Sequence, residues 1–202
     1  MKKTLLPLLN PGHGNDTPGK RWSFNGITFY EWQYNRMIMN LVAKELDTLG
    51  IKYRIITTED NDVSLSTRAI RVNKIATEYG KLDCLLFSIH SNASMNHNAR
   101  GFSIYTSRGQ TASDKYADIG YEKAKIHFKD AKLLYDMSDG DHDFEAGFYM
   151  VKKTICPAIL IEAFFYDNEN DFNFLLSEQG KQAIVNWYVD TIKACIEYHK
   201  NN

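Results

Sequence analysis

Two apolar runs, residues 5–9 and 82–89, each lead into a turn-prone segment that carries a histidine. The first continues as Asn10-Pro11-Gly12-His13-Gly14, and the second closes as Ser88-Ile89-His90-Ser91-Asn92-Ala93. Short apolar runs bounded by Gly, Pro, Asn and Ser predict buried strands. Glu31 opens a strongly periodic helix between them, so strands alternate with helices, and in such folds chemistry gathers where strands end. Two strand-end histidines predict one shared site. A third apolar run, residues 157–161, delivers a further carboxylate, Glu162. Two His and one Glu form a ligand set for catalytic zinc that leaves the fourth position to water.

The rest of the pattern agrees. Tyr34, Met37, Ile38, Leu41, Val42, Leu46 and Leu49 recur at helical spacing, and Gly50 stops that helix. Residues 51–57 predict a strand. Leu65, Val72, Ile75, Ala76 and Tyr79 mark a second helix, stopped by Gly80. Further strands are expected at 101–106 and 148–154, and helices at 113–127 and 178–199. This alternation predicts an α/β fold, a three-layer sandwich with a mostly parallel or mixed central sheet flanked by helices. No repeat or linker interrupts residues 1–202, which predicts a single catalytic domain.

Several of these segments, in this order, resemble one family, the zinc-dependent N-acetylmuramoyl-L-alanine amidases of the type-3 class. Residues 10–14 match its Asp-Pro-Gly-His-Gly, Glu31 its helix-opening Glu, and Leu65, Arg68 and Asn73 its Leu-x-x-Arg-x-x-x-x-Asn. Residues 88–93 match its Ser-Ile-His-x-Asn-Ala, Gly101-Phe102 its Gly-Phe strand, and residues 157–162 its Pro-Ala-Val-Leu-Val-Glu, with Asn168 where that motif ends. The resemblance implies hydrolysis of the amide between N-acetylmuramic acid and L-alanine in peptidoglycan. It implies Zn²⁺ on His13, Glu31 and His90, with Glu162 as general base and then acid. Three positions depart from the family: Asn10 replaces Asp, Glu59 follows Thr58 where Arg is usual, and Phe164 replaces a Gly. These departures predict that substrate-side contacts transfer less well than the ligands.

An amide has a poor leaving group, so a carboxylate must take the proton of water and pass it to the departing nitrogen, which suits Glu162. Ser91 and Asn92 are weaker candidates for orienting substrate. The alternatives are a zinc peptidase cutting within the stem peptide, a non-hydrolytic peptidoglycan-binding module, and, more distantly, a cysteine nucleophile. Cys84, Cys156 and Cys195 lack paired spacing and predict buried thiols rather than disulfides.

A formal charge of −1 with no basic stripe speaks against nucleic acid as a partner. No run approaches the roughly 20 apolar residues of a membrane helix, and a monomer is expected. The start, Met1-Lys2-Lys3 before a short apolar run without a small-residue cleavage site, is better read as a first strand than as a secretory signal. That reading implies synthesis in the cytoplasm and action on the wall after release or export, as for a phage or prophage endolysin, with a host autolysin as the alternative. Pro7 suggests an edge or irregular strand position. His97, His127, His142 and His199 are expected at the surface, and Trp22 and Phe24, in a polar loop, are candidate groove residues.

Overall fold

The computed structural model describes residues 4–202. Its main sheet holds β1 (Leu6–Pro11), β4 (Arg54–Ile55), β5 (Cys84–Asn92), β6 (Phe102–Thr106), β7 (Phe144–Glu145) and β8 (Ala158–Phe165). The strand order is β4-β1-β5-β8-β6-β7, and every pairing is parallel except β6 with β8. The mostly parallel, mixed α/β sheet expected from the alternation is therefore present.

The two faces of the sheet follow from side-chain alternation along the strands. One face presents Leu9, Leu85, Phe87, Ile89, Ile159 and Ile161 to the larger core. Three helices cover it: α1 (Glu31–Thr48), α3 (Ala112–His127) and α6 (Glu178–Asn201). The other face presents Leu6, Leu8, Cys84, Leu86, Ala158 and Leu160 to a smaller core under α2 (Leu65–Tyr79) and α4 (Tyr149–Lys153). Trp187 of α6 is fully buried and donates its indole N–H to Gly120 O at 2.8 Å, which satisfies its one polar atom while it fills the α3–α6 contact. Truncating a ring so placed costs about 3–5 kcal/mol. Among the described residues no helix is long and apolar enough to cross a membrane.

Pro7 lies inside the sheet, between β4 and β5, rather than at its edge. Leu6 N–H donates to Asp83 O on the β5 side, whereas Leu9 O accepts from Ile56 on the β4 side. Alternation therefore turns the ring nitrogen of Pro7 toward β4, whose pairing starts only at Leu8. No ladder bond is lost.

Other expectations need correction. Residues 148–154 form the short helix α4, not a strand. Four apolar residues in a row, 148–151, have no period to separate the two, and here Met150 and Val151 turn inward together. Of residues 51–57 only β4 is paired strand. The loop around Trp22 and Phe24 is a hairpin, β2 (Arg21–Phe24) and β3 (Ile27–Tyr30), turned through Asn25 and Gly26, both at positive φ. A helix not foreseen, α5 (Glu169–Leu176), follows β8, with Asn168 Oδ1 accepting from the N–H groups of Asn170 and Asp171. His199, expected at the surface, is 4% exposed, its ring held between Tyr116 Oη (3.3 Å) and Asp83 Oδ1 (3.1 Å).

Candidate metal centre

β1, β5 and β8 are neighbours, and their C-terminal ends bring the expected residues together. His13 follows β1, His90 lies near the end of β5, and Glu162 is its direct cross-strand partner on β8. Glu31, first residue of α1, is fastened by its own N–H to Lys20 O at 3.0 Å.

Glu31 Oε1 lies 3.2 Å from His13 Nε2 and 3.1 Å from His90 Nδ1. Among the described residues these three form the one group of this kind, with ligand atoms all within 4.8 Å of one another. Two donors on a tetrahedral zinc, each roughly 2.0–2.1 Å from it, stand about 3.3 Å apart. The imidazole rings meet edge to face, 4.9 Å between centroids and 86° between planes.

Three buried polar atoms here have no hydrogen-bond partner: His13 Nε2, Glu31 Oε2 and Glu162 Oε2. Buried polar groups are rarely left so, and two of the three belong to the residues whose ligand atoms converge, as a donor set for a cation would. Burial alone would raise the Glu31 carboxyl, but the His90 hydrogen bond and the two imidazoles set against Oε1 hold it well below the usual carboxylate range. Burial pushes the His90 imidazole below its ordinary value. An ionised carboxylate and a neutral imidazole are the forms that bind metal. The residues present therefore fit Zn²⁺. Glu162 differs, because burial and then the charge of Glu31 push it well above the ordinary range. Two carboxylates with opposite shifts in one site are suited to different roles.

The local backbone is built for this convergence. A Cβ on Gly12 would meet the His90 ring at 2.1–2.6 Å, so only glycine leaves that space. His13 has φ 62°, a left-handed conformation that side-chain-bearing residues seldom adopt. Asn35, one helical turn after Glu31, donates to Glu31 Oε1 and to Gly12 O, both at 3.5 Å. Its i+4 spacing from Glu31 was a legible clue. Lys20 Nζ, 3.6 Å from Glu31 Oε2, had no local sequence signal.

The three departures also have physical accounts. Asn10 Oδ1 accepts from Thr57 and Arg68 while its Nδ2 donates to Ser88, so this side chain touches neither histidine. Glu59 makes a two-pronged pair with Arg71 on α2. Phe164 has φ 66° at the place where the β5–β8 register slips, three residues of β8 spanning two of β5. Such a bulge favours glycine. Here its ring is 1% exposed, packed on Phe102, Phe128 and Phe174.

The side chains of the other candidates lie outside the group of three. Ser91 is buried and contributes its backbone N–H to Glu31 Oε1 at 3.3 Å, and Asn92 Oδ1 accepts from Ala93 N. Trp22 packs on His97, 4.3 Å between centroids, and His97 pairs with Asp167 at 2.9 Å. Phe24 leans on Phe172 in the core. His127 and His142 pair with Asp190 and Asp118. All three cysteines are buried, and burial pushes the Cys156 thiol up to about 12, which suits packing rather than attack.

Comparison with known proteins bears on the family and the fold. The chain is 27% identical over 199 residues to the N-acetylmuramoyl-L-alanine amidase CwlM of Bacillus licheniformis, covering 96% of this chain and 70% of that one. It is 28% identical over 182 residues to LytC of Bacillus subtilis (strain 168), covering 88% of this chain but 32% of that longer protein. The structure superposes on the N-acetylmuramoyl-L-alanine amidase of Clostridium difficile 630 with a TM-score of 0.81 at 23% identity, covering 97% and 98% of the two chains. On the catalytic domain of CwlV from Bacillus (Paenibacillus) polymyxa the score is 0.77 at 19% identity, covering 96% and 98%. The family model described as N-acetylmuramoyl-L-alanine amidase matches residues 8–194, and the chain belongs to that family.

Proposed function

We propose that residues 1–202 act as one zinc-dependent catalytic unit that hydrolyses the amide between N-acetylmuramic acid and L-alanine, at the cell wall. The observation that carries this reading is the convergence of His13 Nε2, His90 Nδ1 and Glu31 beside a second buried carboxylate, Glu162. When bound, zinc supplies Lewis acidity toward the scissile carbonyl and lowers the pKa of water toward neutrality. His13, Glu31 and His90 would hold it. Glu162, neighbour of His90 and uncommitted at Oε2, takes a proton from water and returns it to the leaving nitrogen. Lys20, beside Glu31 and 41% exposed at its side chain, brings positive charge to the mouth of the site. Buried Asn35 fixes the Glu31 carboxylate from behind.

The test is digestion of purified peptidoglycan by the purified protein, with the new ends identified by mass spectrometry and zinc counted per chain. A free lactyl carboxylate with a new L-Ala amine, abolished by chelation and restored by zinc, is expected. Cleavage between amino acids would replace this reading with a stem-peptide peptidase. Pelleting without cleavage would leave only a binding module.

A further inference from the structure

The signature Leu65-x-x-Arg68-x-x-x-x-Asn73 has no part in the chemistry above. Asn73 acts as a staple, donating to Lys153 O and accepting from Ile155 N, which ties α2 to the approach to β8. Arg68 is different. Its side chain is 1% exposed, an uncommon place for a guanidinium.

Its donors are all engaged. Nε donates to Val63 O at 2.7 Å, and Nη1 to Pro11 O at 2.5 Å, Asn10 Oδ1 at 3.0 Å and Thr57 Oγ1 at 3.1 Å. Nη2 donates to His13 O at 3.0 Å and to Asp62 Oδ1 at 3.2 Å. Two of these acceptors, Pro11 O and His13 O, bracket the turn that carries His13. A guanidinium presents its N–H groups in a rigid planar fork, so gripping both carbonyls fixes the peptide planes on either side of Gly12-His13. Those planes set the direction of the His13 side chain. The grip also answers an energetic need, since a residue such as His13 held at φ 62° costs on the order of 1–3 kcal/mol and persists only when its surroundings enforce it.

We propose that Arg68 is a positioning residue for the metal centre, holding His13 in its left-handed turn with Nε2 directed at Glu31 Oε1. This rests on the zinc reading above. Asn10 completes the clasp as a relay, passing from Arg68 and Thr57 to Ser88 on β5, and the counter-charge comes from Asp62 on the neighbouring loop. Gly14 makes the same loop fit, because any Cβ there would meet the Asp62 backbone at 2.0 Å. The segment after β1 is thus clamped by α2 on one side and by residues 61–62 on the other.

The test compares zinc dissociation constants, by competition with a chromophoric chelator, for the wild-type chain, Arg68→Lys and Thr57→Val, alongside thermal melts of the metal-free proteins. Lysine keeps the charge and the aliphatic stem, but one nitrogen cannot span both carbonyls. Arg68→Lys should bind zinc roughly 10- to 100-fold more weakly, the usual effect of losing a residue that supports a ligand. Thr57→Val, isosteric and buried, removes one hydroxyl of the clasp and should weaken zinc by a smaller factor. A residue serving the fold alone would lower the melting temperature and leave the zinc constant of the folded protein unchanged, and that result overturns the proposal. If Arg68→Lys does not fold, Thr57→Val decides by the same criterion. A wild-type chain that binds no zinc overturns both this proposal and the zinc reading, whereas tight wild-type binding matched by both variants overturns this one alone.

Discussion

Substituting Gly12 by alanine should damage the metal centre while sparing the fold. A Cβ at that position would stand 2.1 Å from Cε1, 2.4 Å from Nδ1 and 2.6 Å from Nε2 of His90. Carbon atoms in ordinary contact sit about 3.5 Å apart, so the nearest ring atom must retreat by roughly 1.4 Å. The backbone itself raises no objection, since Gly12 is not among the glycines at positive φ. The nearest contacts are all with the imidazole. Metal–ligand distances tolerate only about 0.2 Å, so a displacement several times larger removes one of three ligands. Zinc affinity should fall at least 100-fold. At equal free zinc well above either dissociation constant, a 100-fold loss removes about 2.7 kcal/mol of zinc-dependent stabilisation. Chelator competition and melts with and without zinc measure both effects, and the metal-free proteins should melt close together. Gly12→Ala binding zinc as tightly as the wild type would refute the convergence of His90 on this site.

Glu162→Gln should keep its zinc while turnover on peptidoglycan falls by roughly 10² to 10⁴, the share of general acid–base catalysis; a variant stripped of zinc would make Glu162 a ligand instead. Phe164→Gly exchanges a ring worth about 3–5 kcal/mol in the core for relief of about 1–2 kcal/mol of left-handed strain. A net loss of about 1–4 kcal/mol is expected in urea unfolding, and an unchanged midpoint would show that the bulge does not depend on the ring. The Asp143 carboxyl is pushed up to about 7 by burial and by the adjoining Asp141 carboxyl, against the Thr106 hydroxyl, which favours the charged form. The native state therefore keeps a proton that the unfolded chain gives up near pH 4. Its stabilisation is complete below that pH and drains away as pH rises toward 7. Asp143→Asn should flatten the fall in melting temperature across that window, and an unaltered slope would count against the assignment.

Much of the candidate site was legible because its residues stand at or near the borders of elements with strong signals. His13 and His90 close apolar runs, Glu31 opens a periodic helix, and Glu162 ends the run that becomes β8. What escaped prediction depends on contacts distant in the chain or on period-free stretches. Lys20 reaches Glu31 only because a loop folds back on α1, and α4 is too short to display a helical period. His199 illustrates the same limit, since its polar flanks say nothing of Asp83, 116 residues earlier, which makes its burial tolerable. Asn10, an amide where the family has Asp, does not bond to either histidine. The structure turns its amide instead toward Arg68, Thr57 and Ser88, so any influence on zinc runs through the backbone of the His13 turn.

Sheet register explains why these residue types occur at these places. Asn10, Ser88 and Leu160 form one row across β1, β5 and β8. Two residues further along lies the next row on the same face, Gly12, His90, Glu162 and, on antiparallel β6, Ser103; Gly12 N–H still donates to Ile89 O, which carries the register that far. The first row is polar or apolar as α2 and its neighbours require, with Asn10 bonded to Ser88 and Leu160 in the smaller core. In the second row the missing side chain at position 12 lets the His90 ring lean toward β1, where His13 and Glu31 converge. Glu162, the register partner of His90 on β8, has its Oε2 without a hydrogen-bond partner. One glycine thus opens the space in which His90 meets His13 and Glu31, while the carboxylate beside His90 in the register stays outside that group of three.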